Sequence, residues 1–407
     1  PHRTDGAVAG TCFDAELGTR NAELCCAIES LANLINQKQA SYHMIMEISA
    51  ALIVKNEEDC LPRCLQSLDG AVDEIVVVDT GSTDRTKSIA AQFTDRLYDF
   101  TWTDDFAAAR NFAVQNATGD YVLSIDADEA IINTSDAARL LRTFIQQHPS
   151  HTLGTVAVRS VINLGEGMEN VDAIQRFFNR HQFRYEGRIH EQLAPSGGGA
   201  TVAPTGVHIL HTGYDHSAAP FREKANRNLH LLNLELESCP DDEYFLYQLG
   251  KTHFALKEYQ HARAAFDHAL GSIQVMNGVP VGRKGPLAPQ AFADLVVTSA
   301  YTLINLDQPT EALHRLQAHQ ENIARSGPGS ADFCHCLGYI HLIQDHLDLA
   351  QAAFEAAIVC GQAGESVSGT GTFRSLYHLG LIAEARADHA AAEQYYTQSL
   401  MAKPDYQ

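Results

Sequence analysis

Hydrophobic residues form short uninterrupted runs in the part of the chain between residues 47 and 126. The runs at 48–54, 74–79 and 121–125 have the length of strands, as expected for parallel strands that are buried on both faces. Between these runs, apolar residues recur with the spacing of a helix, and one such stretch predicts a helix over residues 106–116. The alternation of strands and helices predicts an α/β sheet with right-handed crossovers.

Residues 131–215 combine strand-like runs with a glycine-rich loop, whereas helical periodicity continues from Pro220 to the end. The helical part repeats a pattern of glycine, alanine, aromatic residue and alanine. Its copies are Gly250, Ala262, Phe266 and Ala269; Gly338, Ala350, Phe354 and Ala357; Gly380, Ala392 and Tyr396; and a degenerate pair, Ala300 and Ala312. This spacing is typical of tetratricopeptide repeats, in which small residues let paired helices approach and an aromatic ring fills the gap.

Residues 1–43 precede the first predicted strand and contain one amphipathic pattern. Apolar residues from Leu24 to Ile35 recur with helical spacing. We therefore predict three parts: an extension with one amphipathic helix over residues 1–43, an α/β domain over 44–219, and a helical linker with repeats over 220–407. The helix of the extension is a candidate contact of a homodimer.

The charge of the chain narrows the class of partner. The 29 basic and 50 acidic side chains give a formal net charge of −21. A surface this acidic repels phosphate backbones and anionic lipid, so we expect no nucleic-acid partner and no stable membrane insertion. The sequence shows neither an apolar run that spans a bilayer nor a secretory signal, and the expected location is cytoplasmic. A phosphate-bearing substrate then requires a local positive site or a bound cation.

Acidic residues directly follow two of the predicted strands. Asp79 ends the second run, and Asp126 and Asp128 follow the third. In parallel sheets, ligands bind at the carboxyl ends of the strands, where these side chains are expected to lie. Alternate carboxylates at a strand end can share a divalent cation that bridges a diphosphate, although an exposed acidic turn has the same pattern. Arg110 supplies a cation to this acidic region.

Several motifs, taken in order and spacing, resemble the family 2 glycosyltransferases of the GT-A fold. They are LIVKNEEDCLPRCLQSL, DEIVVVDTGSTDRT, DDFAAARNFA, ATGDYVLSIDADE, EGRIHEQL and HTGY. With the helical repeats, residues 47–407 resemble the repeat-bearing branch that includes the sublancin-type peptide S-glycosyltransferases. The resemblance implies an α/β GT-A domain, which is a Rossmann-like mixed sheet with helices on both faces, followed by an all-α tetratricopeptide-repeat domain.

The resemblance also implies a nucleotide-sugar site at the sheet edge. The residues that it places under the base and ribose are Val54, Lys55, Asn56 and Glu57. An ordinary helix N-terminus with its preference for acidic residues explains the last three equally well. By the same resemblance, Asp79 accepts a hydrogen bond from uracil, and Arg110 packs by the base or a phosphate.

For the metal, the resemblance implies Mn²⁺ or Mg²⁺. Asp126 would approach both the ribose and the ion, Asp128 would coordinate it, and His211 would complete its ligand set, since imidazole is an acceptable ligand of Mn²⁺. Lys224 and Arg227 open the helical part and either reach the diphosphate or form a solvated helix face.

An inverting transferase needs a general base that deprotonates the acceptor as it attacks the anomeric carbon. Glu191 is the first candidate and His190 the second. A salt-bridged segment at the end of a strand is the structural alternative for both. Asp104 and Asp105 also fit an acid/base role, but a helix N-cap before residue 106 is the simpler interpretation of this pair.

The resulting hypothesis is a metal-dependent inverting glycosyltransferase. It would move a hexose from a nucleotide sugar, expected to be a UDP-sugar, to a protein or peptide side chain bound by the repeats. One alternative is a cell-envelope glycan or lipid-linked acceptor, and another is a non-catalytic repeat scaffold. A nucleotidyltransferase is disfavoured because LIVKNEE lacks a glycine-rich basic loop after the first strand.

Overall fold

The computed structural model describes residues 46–163, 168–212, 218–283, 285–323, 329–404 and 406. The predicted N-terminal helix and its candidate dimer contact lie outside the described residues, and the three-part division of the chain stays a prediction. In the described part of the chain, no helix is both long enough and apolar enough to cross a bilayer.

An eight-stranded mixed sheet forms the core of the N-terminal part, with strand order β3-β2-β1-β4-β7-β6-β10-β5. Its strands are β1 (Ile48–Val54), β2 (Glu74–Asp79), β3 (Leu97–Asp99), β4 (Tyr121–Ser124), β5 (Glu129–Ile131), β6 (Thr152–Asn163), β7 (Met168–Asn179) and β10 (Thr201–His211). The separate pair is β8 (Phe183–Glu186) and β9 (Gln192–Pro195). From β3 to β4 all neighbours are parallel. Beyond β4 the pairings with β7, between β7 and β6, and between β10 and β5 are antiparallel, which confirms the mixed sheet.

Helices cover both faces of this sheet, as the fold class requires. They are α1 (Leu61–Leu68), α2 (Thr86–Ala90), α3 (Phe106–Asn116) and α4 (Thr134–Gln147). On one face, Leu65 of α1 and Leu141 of α4 pack in the core that contains Leu52 of β1. On the other face, Ala113 of α3 packs with Val76 of β2. The central strands are therefore buried on both sides, which explains why their sequences are continuous apolar runs.

The C-terminal part is built from helical hairpins. Its helices are α5 (Ala218–Ser238), α6 (Glu243–Ala255), α7 (Tyr259–Ser272), α8 (Pro289–Asn305), α9 (Pro309–His319), α10 (Ser330–Ile343), α11 (Leu347–Cys360), α12 (Phe373–Ala385) and α13 (His389–Ala402). A small sheet of β11 (Gln274–Met276), β12 (Val279–Gly282) and β13 (Gly285–Pro286) lies between α7 and α8. The predicted repeats are confirmed, because each repeat glycine faces the aromatic ring of its own copy. Ala300 and Ala312 of the degenerate copy are both fully buried.

The glycine of the repeat pattern gives a direct test of this packing. A Cβ atom placed on Gly338 would lie 2.9 Å from the ring of Phe354, so Gly338→Ala should destabilise the chain by about 1 to 3 kcal/mol through overpacking. Gly271→Ala is the matched control, because nothing lies within 4 Å of the added atom, and we expect it to raise stability by up to about 1 kcal/mol through helix propensity. Urea unfolding of both variants measures the difference, and equal effects would contradict the predicted packing.

Candidate active site

The parallel strands bring the predicted acidic residues to one edge of the sheet. Val54 at the end of β1 is level with Asp79 at the end of β2. On the other side of β1, Ser124 ends β4 and pairs with Ala51, so that Asp126 follows at the same edge. The expected grouping of the strand-end carboxylates is therefore observed.

A cavity of about 290 Å³ opens at this edge. The residues predicted from the sequence that line it are Val54, Lys55, Glu57, Arg110, Asp126, Asp128, His211, Lys224 and Arg227. Trp102 and Phe106 add an aromatic wall, with ring centroids 4.8 Å apart and the rings edge to face. Lys224 and Arg227 reach the cavity from α5, where the guanidinium of Arg227 lies 5.2 Å from the centre of the Phe106 ring. The cavity thus combines acidic, basic and aromatic walls, which suits a ligand with phosphates and a ring.

Asp128 and His211 form a pair inside this cavity. His211 Nε2 lies 3.2 Å from Asp128 Oδ2, and His211 Nδ1 lies 3.3 Å from the hydroxyl of Ser160. Burial alone would lower the pKa of His211, but the hydrogen bond and the charge of Asp128 outweigh it and raise that pKa. A carboxylate oxygen and an imidazole nitrogen held this close fit the donor set of a Mn²⁺ or Mg²⁺ ion, Mn²⁺ being the better match for imidazole.

Asp126 is held differently from Asp128. Arg110 Nη2 donates to Asp126 Oδ1, and Arg176 Nη2 donates to Asp126 Oδ2, each at 2.8 Å. Burial opposes the ionisation of Asp126, but the two guanidinium charges outweigh burial and hold its pKa well below the usual range. Because both carboxylate oxygens are bonded to arginine, the geometry favours Asp128 and His211 over Asp126 as metal ligands. The predicted metal and ribose role of Asp126 stays a prediction.

Arg176 belongs to the site, although the sequence pattern did not predict it. It lies on β7 and donates to Asp126 and, at 3.1 Å, to Glu129 Oε1. Glu129 Oε2 in turn accepts a hydrogen bond from the backbone N–H of Asp126, so the two residues hold the Asp126 carboxylate and backbone in place. The available signal was a basic residue directly before the apolar pair Phe177-Phe178 in a predicted strand, since a buried charge is almost always paired.

Arg110 is the centre of a buried ion-pair network. Its Nε donates to Glu191 Oε1 at 2.5 Å and its Nη1 donates to the hydroxyl of Ser124 at 3.2 Å. The side chains of Arg110 and Glu191 are only 9% and 13% exposed. Arg110 was predicted to pack by the base or a phosphate. Here its guanidinium bonds Glu191, Ser124 and Asp126, and its ligand contact stays a prediction.

The two candidate bases, Glu191 and His190, are not among the described residues that line the cavity. Glu191 is the ion-pair partner of Arg110, which agrees with the structural alternative of a salt-bridged segment. His190 has a left-handed backbone with φ of 52°, and burial lowers the pKa of its imidazole, which favours the neutral ring. The identity of the base stays a prediction divided between these two residues.

Asp79 has one satisfied and one unsatisfied carboxylate oxygen. Oδ2 accepts hydrogen bonds from the backbone N–H groups of Gly81 and Ser82 at 3.1 and 3.0 Å. Oδ1 is buried, and within the described part of the chain it has no hydrogen-bond partner. Buried polar atoms are normally paired, so an unpaired acceptor beside a cavity suggests a donor from a ligand. Asp79 itself is outside the cavity lining, whereas its neighbour Thr80 is part of it.

The Lys55-Asn56-Glu57 segment lies ahead of α1 rather than inside it. Asn56 has a left-handed backbone with φ of 56°, and its Oδ1 accepts from the backbone N–H of Thr83 at 2.8 Å, which ties together the loops after β1 and β2. The carbonyl of Glu57 accepts from Leu61 N at 2.9 Å, the bond that starts the turn into the helix. Burial, and then the charge of Asp128, raises the pKa of Glu57 to about 7. Lys55 and Glu57 thus line the cavity, and Asn56 shapes the loop.

Asp104 and Asp105 have structural partners. Asp105 is the N-cap of α3 and accepts from Ala108 N at 2.8 Å, as the simpler interpretation expected. Asp104 Oδ1 accepts from Trp102 Nε1 at 2.8 Å and so holds the indole at the cavity wall.

Comparison with known proteins agrees with this architecture. Residues 49–193 match the Glycosyl transferase family 2, and residues 244–274 and 373–406 match the Tetratricopeptide repeat family. A TPR repeat-containing protein of Synechococcus elongatus is 36% identical over 50% of this chain and 51% of its own length. The SPbeta prophage-derived glycosyltransferase SunS of Bacillus subtilis is 27% identical over 50% of this chain and 48% of its own. The chain thus spans about half the length of these relatives.

A further relative and two solved structures extend the comparison. The lipopolysaccharide core biosynthesis glycosyltransferase LpsC of Rhizobium meliloti is 29% identical over 37% of this chain and 58% of its own. The crystal structure of MamA superposes with a TM-score of 0.35 and 17% identity, covering 45% of this chain and 90% of that one. Glucosyl-3-phosphoglycerate synthase from Mycobacterium tuberculosis, in complex with Mg²⁺ and uridine diphosphate, superposes with a TM-score of 0.25 and 22% identity, covering 30% and 47%.

Proposed function

We propose that this chain, which carries a family 2 glycosyltransferase domain joined to tetratricopeptide repeats, transfers a hexose from a UDP-sugar to a peptide or protein side chain with the help of a divalent metal ion. The observation that carries the proposal is the cavity at the strand ends, which is lined by the Asp128–His211 pair together with basic and aromatic side chains.

The walls of the cavity match the parts of a nucleotide sugar. Lys224 and Arg227 are the exposed cations of α5 at the cavity, placed to meet phosphate charge in a chain whose net charge is −21. Outside the lining, next to the lining residue Thr80, the unpaired Oδ1 of Asp79 is an acceptor suited to the imide N–H of uracil. Asp128 and His211 would hold a Mn²⁺ or Mg²⁺ ion, which when bound neutralises the diphosphate leaving group.

The remaining residues of the site position these groups. Arg110 and Arg176 fix the carboxylate of Asp126 from both sides, so that it stays ionised next to Asp128. Glu191 forms an ion pair with Arg110, so its carboxylate is already bonded within the site. His190, whose imidazole pKa is lowered by burial, is the second candidate base, and because it is outside the cavity lining this role requires an acceptor that approaches from beyond that lining.

The repeats support the proposed acceptor class. Stacked helical hairpins create extended concave surfaces that suit extended peptides, so a peptide or protein is the proposed acceptor. A cell-envelope glycan is the second candidate, since one relative is a lipopolysaccharide core biosynthesis glycosyltransferase. Incubation with a panel of UDP-sugars, Mn²⁺ and either peptides or glycans, followed by intact mass analysis, separates the two. A hexose mass added to a peptide is the expected result, and a product formed with glycans alone would overturn the peptide assignment.

Asp79→Asn tests the proposed base pocket. The amide can keep the two backbone hydrogen bonds through its oxygen, but it then turns an N–H₂ group toward the uracil N–H. We expect the affinity for UDP to fall about tenfold or more, since hydrogen bonds to a charged group contribute about 1.5 to 3 kcal/mol. Calorimetry with UDP measures this loss, and the exposed Asp136→Asn serves as the control. Unchanged UDP affinity in Asp79→Asn would remove uracil recognition from Asp79.

A further inference from the structure

A second group of metal-ligand side chains lies in the first repeat, outside the transfer site. His253 is in the last turn of α6, Glu258 directly precedes α7, and His261 is in the first turn of α7. One ligand atom from each lies within 4.8 Å of the others. We propose that these three side chains bind a transition-metal ion, Zn²⁺ being the expected one, and that the ion joins the two helices of this hairpin.

The distances suit a zinc ion. In tetrahedral sites with Zn–N and Zn–O bonds of about 2.0 to 2.2 Å, neighbouring ligand atoms are about 3.3 to 3.6 Å apart. His253 Nδ1 now lies 2.8 Å from Glu258 Oε2, and the two histidine rings are 5.2 Å apart between centroids with an interplanar angle of 30°. The three donor atoms lie at most 4.8 Å apart, so side-chain rotations that move them by a few tenths of an ångström to about an ångström would bring them to zinc distance.

The backbone of the hairpin already holds the three donors in place. The N–H of Glu258 donates to the carbonyl of His253 at 2.9 Å across the turn, and Lys257 between them has a left-handed backbone with φ of 62°. The helices α6 and α7 pack through Gly250 and Phe266, so the two ends of the site belong to one packed unit. Binding of a metal ion to donors held this way costs the chain less conformational entropy than binding that must order a loop.

The chemistry of the donors selects the metal. Two imidazoles and one carboxylate match zinc sites with three protein ligands and an open fourth position. The side chain of His253 is 16% exposed and that of Glu258 is 37% exposed, while His261 lies on the surface. The group is therefore open to solvent on one side, which allows entry of the ion and leaves room for a water ligand. Mg²⁺ prefers oxygen ligands, so it is a poor competitor here.

A later hairpin of the same chain provides an internal comparison. In the repeat formed by α10 and α11, His341 and His346 take the places of the first two ligands, and their ring centroids are 5.9 Å apart. Leu349 takes the place of the third ligand, so this copy offers two donors instead of three. The repeat architecture alone therefore does not require three ligands. Of the α6–α7 and α10–α11 hairpins, only the α6–α7 hairpin has all three.

The experiment measures Zn²⁺ binding by the full chain in competition with a chromogenic chelator, in an Asp128→Asn background that weakens metal binding at the other site. One Zn²⁺ should bind per chain and raise the melting temperature by mass action. His261→Ala, at an exposed position, should weaken Zn²⁺ binding by more than about tenfold, since loss of even an indirect partner of a metal site costs that much. Its melting temperature in the presence of chelator should be unchanged.

Two further variants make the result decisive. Glu258→Gln retains an oxygen that can bond His253 but removes the charge, and we expect it to weaken Zn²⁺ binding as well. His346→Ala in the later hairpin is the matched control and should bind Zn²⁺ like its parent. Equal Zn²⁺ affinity in His261→Ala and the parent, or an equal loss in His346→Ala, would overturn the proposed site. Neither outcome bears on sugar transfer, because the cluster is separate from the Asp128–His211 pair.

Discussion

Asp128→Asn is expected to lower kcat/KM for sugar transfer at least about a hundredfold, the range seen when one group that stabilises transition-state charge is removed. Asparagine keeps the size of the side chain but removes the charge that faces His211 at 3.2 Å and that would bind a divalent cation. The assay is UDP release from the donor that the panel identifies, followed at several Mn²⁺ concentrations.

The loss in Asp128→Asn should come from the site and not from unfolding. Asparagine has nearly the size of Asp128 and can keep the hydrogen bond to His211, so the free energy of unfolding should change by only about 1 kcal/mol or less. Asp136→Asn, in an exposed ion pair, is the control and should keep full activity. A rate for Asp128→Asn close to that of the unchanged chain would contradict the assigned role.

Arg110→Met is expected to lower the free energy of unfolding by about 3 to 5 kcal/mol, because removal of one partner leaves uncompensated buried charges. Arg110 is buried and bonds both Asp126 and Glu191, so its loss leaves two carboxylates without their shared partner. Urea unfolding followed by circular dichroism measures the change.

The matched control for Arg110→Met is Arg139→Met. Arg139 pairs with Asp136 on the surface of α4, where both side chains are more than half exposed, and such pairs contribute about 0 to 1 kcal/mol. If the two variants lose the same stability, the network around Arg110 does not hold the site together as described.

The sequence predicted best those features that depend on neighbouring residues. The apolar runs at 48–54 and 74–79 coincide with β1 and β2, because strands buried on both faces leave an unbroken apolar signature. The helix at 106–116 also coincides with α3. The repeat glycines and their aromatic partners were predictable for the same reason, since each pair lies within one hairpin.

Features that depend on distant pairing were less accessible. In the second half of the sheet, β7 pairs with β4, which is distant in sequence, and with β6, and it is antiparallel to both. The local pattern of apolar and polar residues does not predict this pairing. In the site, the cluster of Asp126 and Asp128 was predicted, but the arginines that hold both oxygens of Asp126 come from α3 and β7. Only the folded sheet shows that both carboxylate oxygens of Asp126 are bonded to these arginines. The same holds for the ion pair between Glu191 and Arg110.

Isothermal titration of the full chain with UDP, with and without Mn²⁺, measures whether the site binds the nucleotide through a metal ion. We expect binding that is at least about tenfold tighter with Mn²⁺ and that loses this dependence in Asp128→Asn, since a cation held by Asp128 and His211 would bridge the diphosphate. UDP that binds equally well with and without the metal, or that fails to bind under both conditions, would rule out a metal-dependent UDP site.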